Sequence, residues 1–256
     1  MKVVLVQNEL IWENPEANVA AFDALIRSIT GPADLIVLPE MFTTGFSMRP
    51  EYFAAASYAA GLPAMQAWAK STGAAIAASM MTPENGKFYN RMHWVYPDGS
   101  MKIYDKRHLF SIGTENEHYT AGQTAEVIEW KNWRFLPCIC YDLRFPVWLR
   151  RTTQRDYDVL LVVANWPERR AAHWNALLVA RAIENQVYVV AVNRTGTDAN
   201  GINHSGHSVV INPKGEVMTT STNLHDMLTT ELQYRYITEW RTQFPAINDA
   251  DSFAIM

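Results

Sequence analysis

The sequence predicts an α/β fold in one domain, with a mixed sheet system and helices outside it. Three observations carry that reading. Short β-branched apolar runs recur along the chain, amphipathic stretches with helix start and stop signals lie between them, and tight-turn signals join other runs into hairpins. Residues 1–256 hold no linker, low-complexity tract or short repeat, so one domain is expected to span them.

Taken in order, "KVVLVQ" (2–7) reads as the first strand. Asn14 followed by Pro15 supplies an N-cap and a first-turn residue for a helix over 15–29, which Gly31 and Pro32 end. "DLIVLPE" (34–40) is the second strand, and a helix over 62–72 with Gly73 at its C-cap leads to "AAIAASMM" (74–81). "FYNRMHWVY", the turn Pro97-Asp98-Gly99-Ser100 and "MKIYDK" make a hairpin. Further strands, "WRFLPCIC" (133–140), "DVLLVVAN" (158–165) and "VYVVAVNR" (187–194), alternate with helices over 146–154 and 170–185. These runs are apolar without a break, the pattern of strands buried on both faces. "HSVVINP" then turns through Lys214-Gly215 into "EVMTTST", and "HDMLTTEL" follows. The aromatic tail "YRYITEWRTQF" is suited to packing within the subunit or across a dimer.

A chain that is 48% hydrophobic and 19% charged has the composition of a globular protein, and a net charge of -4 gives no reason to expect a polyanionic partner. Basic residues come only in short groups such as Lys106-Arg107-His108 and Arg169-Arg170, short of a nucleic-acid stripe. Neither "VVLV" near the start nor "VLLVVA" is long enough for an export signal or a bilayer span of about 20 residues. Cys138 and Cys140 cannot build a disulfide framework. A cytoplasmic protein that binds neither membrane nor nucleic acid is expected.

Strand ends in an α/β fold open into the crevice where ligands bind. Three of them carry reactive groups: Glu40 ends "LIVLPE", Lys106 ends "IYDK", and Cys140 ends "FLPCIC". A thiol to attack, a carboxylate to move protons and a cation to hold an oxyanion are the parts that acyl transfer needs. Each has a plainer reading: a solvated charge for Glu40, a surface salt-bridge cluster for Lys106, a small buried hydrophobe for Cys140. Cys138, deeper in the same run, reads as core. Pro146 starts the helix after Cys140, so unpaired amides there would favour a thiolate or an oxyanion. A Cys–His pair would draw on His108 or His173. His204 and His207 are too sparsely supported to read as a metal site, and no Gly-rich phosphate loop appears.

"LPEMFTTGF", "YDKRHLF" and "CYDLRFP" resemble, in order, the three signature segments of the nitrilase superfamily of carbon-nitrogen hydrolases. "ANWP", "ARAIENQVYV", "GHSVVINPKGE" and a late "QFP" extend the resemblance over nearly the whole chain. It implies an αββα sandwich, a Glu40–Lys106–Cys140 triad without metal or organic cofactor, and paired subunits. It also implies a second glutamate in the loop after the lysine; Glu115 fits by its spacing to Gly122, with Glu117 as the competitor. Within the superfamily the segments look most like the bacterial omega-amidases, which hydrolyse the terminal amide of 2-oxoglutaramate, and often of 2-oxosuccinamate. The backbone N–H of Tyr141 is the expected oxyanion partner of Lys106. Arg144 is the first candidate for a substrate carboxylate, although it equally suits a brace at the corner, and Phe42, Tyr119 and Trp166 are candidate pocket walls. Arg181 and Glu184, three apart on a helix, read as structural. The alternatives are a carbamoylase or short aliphatic amidase with the same triad, and a non-catalytic binding protein keeping the fold.

Overall fold

A computed structural model describes residues 1–251 and 253. Its first half contains β1 (Lys2–Gln7), α1 (Pro15–Arg27), β2 (Leu35–Val37), α2 (Pro50–Thr72), β3 (Ala75–Glu84), β4 (Lys87–Val95) and β5 (Met101–Asp105). A short α3 (Glu115–His118) precedes β6 (Ile128–Trp130) and β7 (Trp133–Ile139), and a one-turn α4 (Pro146–Leu149) precedes β8 (Val159–Ala164). The chain continues through α5 (Ala171–Asn185), β9 (Tyr188–Asn193), β10 (Thr195–Thr197), β11 (Asn203–Ser205), β12 (Ser208–Ile211), β13 (Val217–Ser221), β14 (Asp226–Glu231) and α6 (Tyr234–Gln243).

Two six-stranded mixed sheets result, ordered β14-β1-β2-β3-β4-β5 and β13-β12-β9-β8-β7-β6. Each has three parallel strands at its centre (β1-β2-β3 and β7-β8-β9) with antiparallel strands outside them. The period of two in a strand explains the unbroken apolar runs. Val3, Leu5, Leu35 and Val37 face the second sheet, while Val4, Val6, Ile36 and Leu38 face Phe22 and Ile26 of α1 and Met65 and Trp68 of α2. Trp94 of β4 meets Phe135 of β7 across the seam, ring centroids 4.7 Å apart, and α5 covers the far face of the second sheet with Trp174, Leu178 and Ala182. Helices on both outer faces of two packed sheets are the αββα arrangement the resemblance implied.

Local chemistry sets most boundaries. The Asn14 side chain accepts from the Ala17 N–H at 3.1 Å and caps α1, and Gly73 ends α2 at φ +69°. Three expectations are corrected. Helix α2 begins at Pro50, not near residue 62, and runs through Pro63 because Gly61 lets it press against Met80 and Thr43. The helix expected over 146–154 stops at Leu149, where the Arg155 guanidinium takes the carbonyls of Trp148 and Arg150 that a longer helix would have used. Thirdly, β2 ends at Val37, so Glu40 sits on the turn beyond the strand. The aromatic tail packs within the subunit: Ile237 of α6 is in the core, and Arg241 reaches Asp158 at 2.9 Å.

No helix among the described residues is long and apolar enough to cross a membrane.

Candidate active site

Strand direction brings the reactive residues to one end of the sandwich. Since β4 reverses β3 and β5 reverses β4, β5 finishes at the same end as β2. Glu40 and Lys106 therefore leave the first sheet together, and Asn90, near the start of β4, lies between them. From the second sheet, Cys140 follows β7 and Asn165 follows β8, two parallel neighbours.

Glu40, Lys106 and Glu115 are fully buried and bonded to one another. Lys106 Nζ donates to Glu40 Oε1 at 2.8 Å and to both Glu115 oxygens at 3.0 and 2.9 Å. The Asn90 amide donates to Glu40 Oε1 at 2.8 Å and to Glu115 Oε1 at 3.0 Å, tying the two carboxylates together from the other side. Asn165 fixes Glu40 twice, its N–H donating to Oε2 at 2.7 Å and its side-chain amide to the Glu40 carbonyl at 2.6 Å. Glu115 also accepts from the Phe110 N–H at 2.6 Å. Glu117 is exposed, so the buried position belongs to Glu115. Burial alone would push the Lys106 ammonium down, but Glu115 and Glu40 beside it outweigh that and hold it above its usual range. Burial raises Glu115, Lys106 opposes, and the nearby Glu40 charge adds to the rise.

Cys140 opens a 3-10 turn, Cys140–Arg144, in left-handed backbone at φ +47°. That conformation is unfavourable for a side chain and must be imposed by its surroundings. Asp142 imposes it: fully buried, it accepts from the Ile139 N–H at 3.1 Å, the Tyr104 hydroxyl at 2.8 Å and the His108 N–H at 2.8 Å. Arg181 donates to the Leu143 carbonyl at 2.8 Å and pairs with Glu184 at 3.0 Å, the bracing role expected of that pair. The Cys140 sulfur lies 3.9 Å from the Asn165 carbonyl. Burial and the Glu40 carboxylate push the thiol well above its ordinary value, and Lys106 offsets this only in part. Burial and the Glu40 charge thus outweigh what the short turn after Cys140 offers a thiolate. Cys138 is core, as read. His108 Nδ1 is engaged by Asp142 at 2.8 Å and His173 Nδ1 by Arg144 at 3.2 Å.

A cavity of about 230 Å³ opens onto Cys140 and Lys106. Tyr141, Arg144 and Trp166 line it, with the Arg144 guanidinium 4.8 Å from the Trp166 ring centroid. Two expected wall residues are not there. Phe42 turns into the helix layer, edge-on to Phe22 at 5.7 Å, because Met41 adopts φ +44° and redirects the chain. Tyr119 is buried beside Met41 and Met81, its hydroxyl donating to the Ser47 carbonyl at 2.7 Å. Phe46 and Phe110 form that part of the wall instead. Sequence reasoning also missed Asn90, Asn165 and Asp142. Asn90 had one available signal: a lone amide in register with the core residues Met92 and Trp94 of β4.

Residues 2–242 match the carbon-nitrogen hydrolase family. The chain belongs to that family. Being a carbon-nitrogen hydrolase with a thiol at the head of this cavity, it is a cysteine amidohydrolase. It is similar to omega-amidase YafV of Escherichia coli (strain K12), with 46% identity over 259 residues covering 100% of this chain and 98% of that protein. It is also similar to 2-oxoglutaramate amidase of Bacillus subtilis (strain 168), with 32% identity and 95% of each chain covered. Among solved structures, XC1258 of Xanthomonas campestris, a CN-hydrolase superfamily protein with an arsenic adduct in its active site, superposes with a TM-score of 0.95. That match has 38% identity and covers 100% of this chain and 99% of that one.

Proposed function

We propose that this carbon-nitrogen hydrolase is an omega-amidase, converting the terminal amide of 2-oxoglutaramate, and of 2-oxosuccinamate, to the dicarboxylate and ammonia through a cysteine thioester. The observation that carries the proposal is that Lys106, paired with Glu40 and Glu115, lines one small cavity with Cys140, and that the cavity wall holds guanidinium groups. Such a wall suits a short amide with a free carboxylate. The similarity to enzymes named for omega-amidase and 2-oxoglutaramate amidase activity supports the same substrate.

In this reading Glu40 takes the proton of Cys140 as the sulfur bonds to the amide carbon, so no standing thiolate is needed from a thiol held this high. Lys106 Nζ and the Tyr141 N–H hold the tetrahedral oxyanion. Collapse breaks the carbon–nitrogen bond while Glu40 returns the proton to the leaving nitrogen, releasing ammonia and leaving the thioester. Water then loses a proton to Glu40, its oxygen bonds to the acyl carbon, and the departing sulfur regains that proton. Glu115 keeps Lys106 charged and aimed throughout. The family resemblance further leads us to infer a homodimer, to be read as mass in solution, and a cytoplasmic location.

The test is ammonia release from 2-oxoglutaramate by the wild type beside Cys140→Ala, with asparagine, a carbamoyl amino acid and a simple nitrile as rivals. Fast release from the oxoacid amide alone, lost in the variant, is expected. Cys140-dependent turnover of a rival instead would replace the omega-amidase reading with a carbamoylase or aliphatic amidase. Undiminished turnover by Cys140→Ala would refute the mechanism.

A further inference from the structure

We infer that Arg170 is the residue that takes the substrate's free carboxylate and so restricts the site to amides that carry one. The inference rests on the omega-amidase reading above and names the group that enforces it. Several arginines elsewhere in this chain, among them Arg91, Arg134 and Arg241, are paired with carboxylates. Arg144, Arg169 and Arg170 all line the active-site cavity, and none forms an ion pair among the described residues.

The three differ in what they have left to offer. Arg144 gives one N–H to His173 at 3.2 Å while its plane lies near Trp166. Arg169 is exposed at the rim. Arg170 is only half-exposed, yet its guanidinium, with five N–H donors, meets no acceptor among the described residues. Its guanidinium carbon instead lies 5.3 Å from the centroid of the Phe110 ring. None of its nitrogens is buried away from solvent, so its donors stay open at the cavity wall and available to an anion. Burial, then the charge of Arg169, pulls Arg170 below its usual range, and Arg144 adds to that. The negative charge of an incoming carboxylate would offset all three effects.

The Arg170 backbone is fixed at the wall of the same cavity. Trp166 Nε1 donates to the Arg170 carbonyl at 2.8 Å, and the Arg170 N–H donates to the Pro167 carbonyl at 2.9 Å. The Phe110 platform is tied through its own N–H to Glu115, which bonds Lys106. Carboxylate seat and oxyanion cation thus share one rigid chain of contacts. Asp198, the acidic member of the lining, has its Oδ1 occupied by the N–H groups of Asn200 and Ile202 and does not neutralise Arg170.

The experiment compares kcat/KM for 2-oxoglutaramate with that for pentanamide, a carboxylate-free amide of equal length, in the wild type, Arg170→Gln, Arg170→Lys and Arg144→Gln. Arg170→Gln is expected to lower the ratio of the two values by about tenfold or more, mainly through KM, as for a lost charge-assisted bond. Arg170→Lys should recover part of that loss, because the charge remains while the planar fork is gone. Calorimetry of 2-oxoglutarate binding to Cys140→Ala with and without Arg170→Gln should show a parallel loss of about tenfold in Kd. A ratio that moves less than tenfold in Arg170→Gln, or moves instead in Arg144→Gln, would overturn the inference. If the wild type fails to favour 2-oxoglutaramate, the omega-amidase reading falls on its own, and calorimetry decides whether Arg170 still seats a carboxylate.

Discussion

Two of the clusters of alternating charge among the described residues have opposite characters. One joins Arg134, Arg151 and Arg241 to Asp156 and Asp158 where β7, the loop before β8 and the end of α6 meet. There the cations outnumber the carboxylates, and the buried Asp158 is bonded by guanidinium groups from two directions. The other cluster has one ammonium for two carboxylates, no solvent, and one side open to a thiol and a cavity. The first cluster stitches segments together. The second keeps a charge imbalance where the mechanism proposed above moves a proton. Ion pairing alone does not distinguish a brace from a reactive site; the charge count and the open side do.

The largest effect that would sharpen this contrast comes from Lys106→Ala. Losing one oxyanion donor should cost about 10²–10³-fold in kcat, and leaving Glu40 and Glu115 face to face adds to that. Steady-state kinetics on protein with a wild-type circular dichroism spectrum reads it out; a loss below tenfold would place Lys106 with the braces. Asp158→Ala is the mirror experiment. Removing the carboxylate that Arg134 and Arg241 share should lower unfolding stability by about 3 kcal/mol, the low end for a broken buried pair because both guanidinium groups keep other partners and some solvent. Urea unfolding measures this, and kcat at 25 °C should stay within about twofold of wild type. A large rate loss in Asp158→Ala would erase the distinction between the clusters.

The smallest effect is a pH dependence. Burial alone would raise Asp156, but its bond to Arg151 and the charges of Arg151, Arg134 and Arg241 outweigh that and hold it below 3.8. A depressed carboxylate contributes stability that is present above its unfolded pKa and lost as pH falls through the folded value. The wild type should therefore melt above Asp156→Asn near neutral pH, with the difference shrinking as pH drops below 3.8. Scanning calorimetry from neutral to acid pH would show it, and a gap independent of pH would assign the effect to packing.

How much of this was legible beforehand follows from the range of the interactions. Glu40, Lys106 and Cys140 each end an apolar run, so local pattern exposes them, and the order of their motifs carries the fold. Spacing to Gly122 favoured Glu115 but left Glu117 as a competitor, because what separates them is burial against Asn90 and Lys106. Phe42 looked like a wall because it adjoins Glu40, but a left-handed Met41 turns it away, and a positive φ at a methionine leaves no mark in a sequence. Asn165 and Asp142 were missed for the same reason: their partners lie tens of residues away. Helix α2 was read short because Gly61 and Pro63 look like punctuation until Met80 is seen pressed against the glycine.

One pairing in the first sheet bears on how such a protein is made. Strand β1 is flanked by β14, and Lys2 pairs with Glu231. During synthesis, β1 must wait with one edge open until Asp226–Glu231 has left the ribosome. By then Glu40, Lys106, Glu115 and Cys140 have long been translated. A nascent chain ending before Asp226 would carry every reactive group named above and still present a naked strand edge, the kind that recruits other chains. The enzyme's vulnerable interval thus falls after its chemistry is encoded and before its first sheet can close.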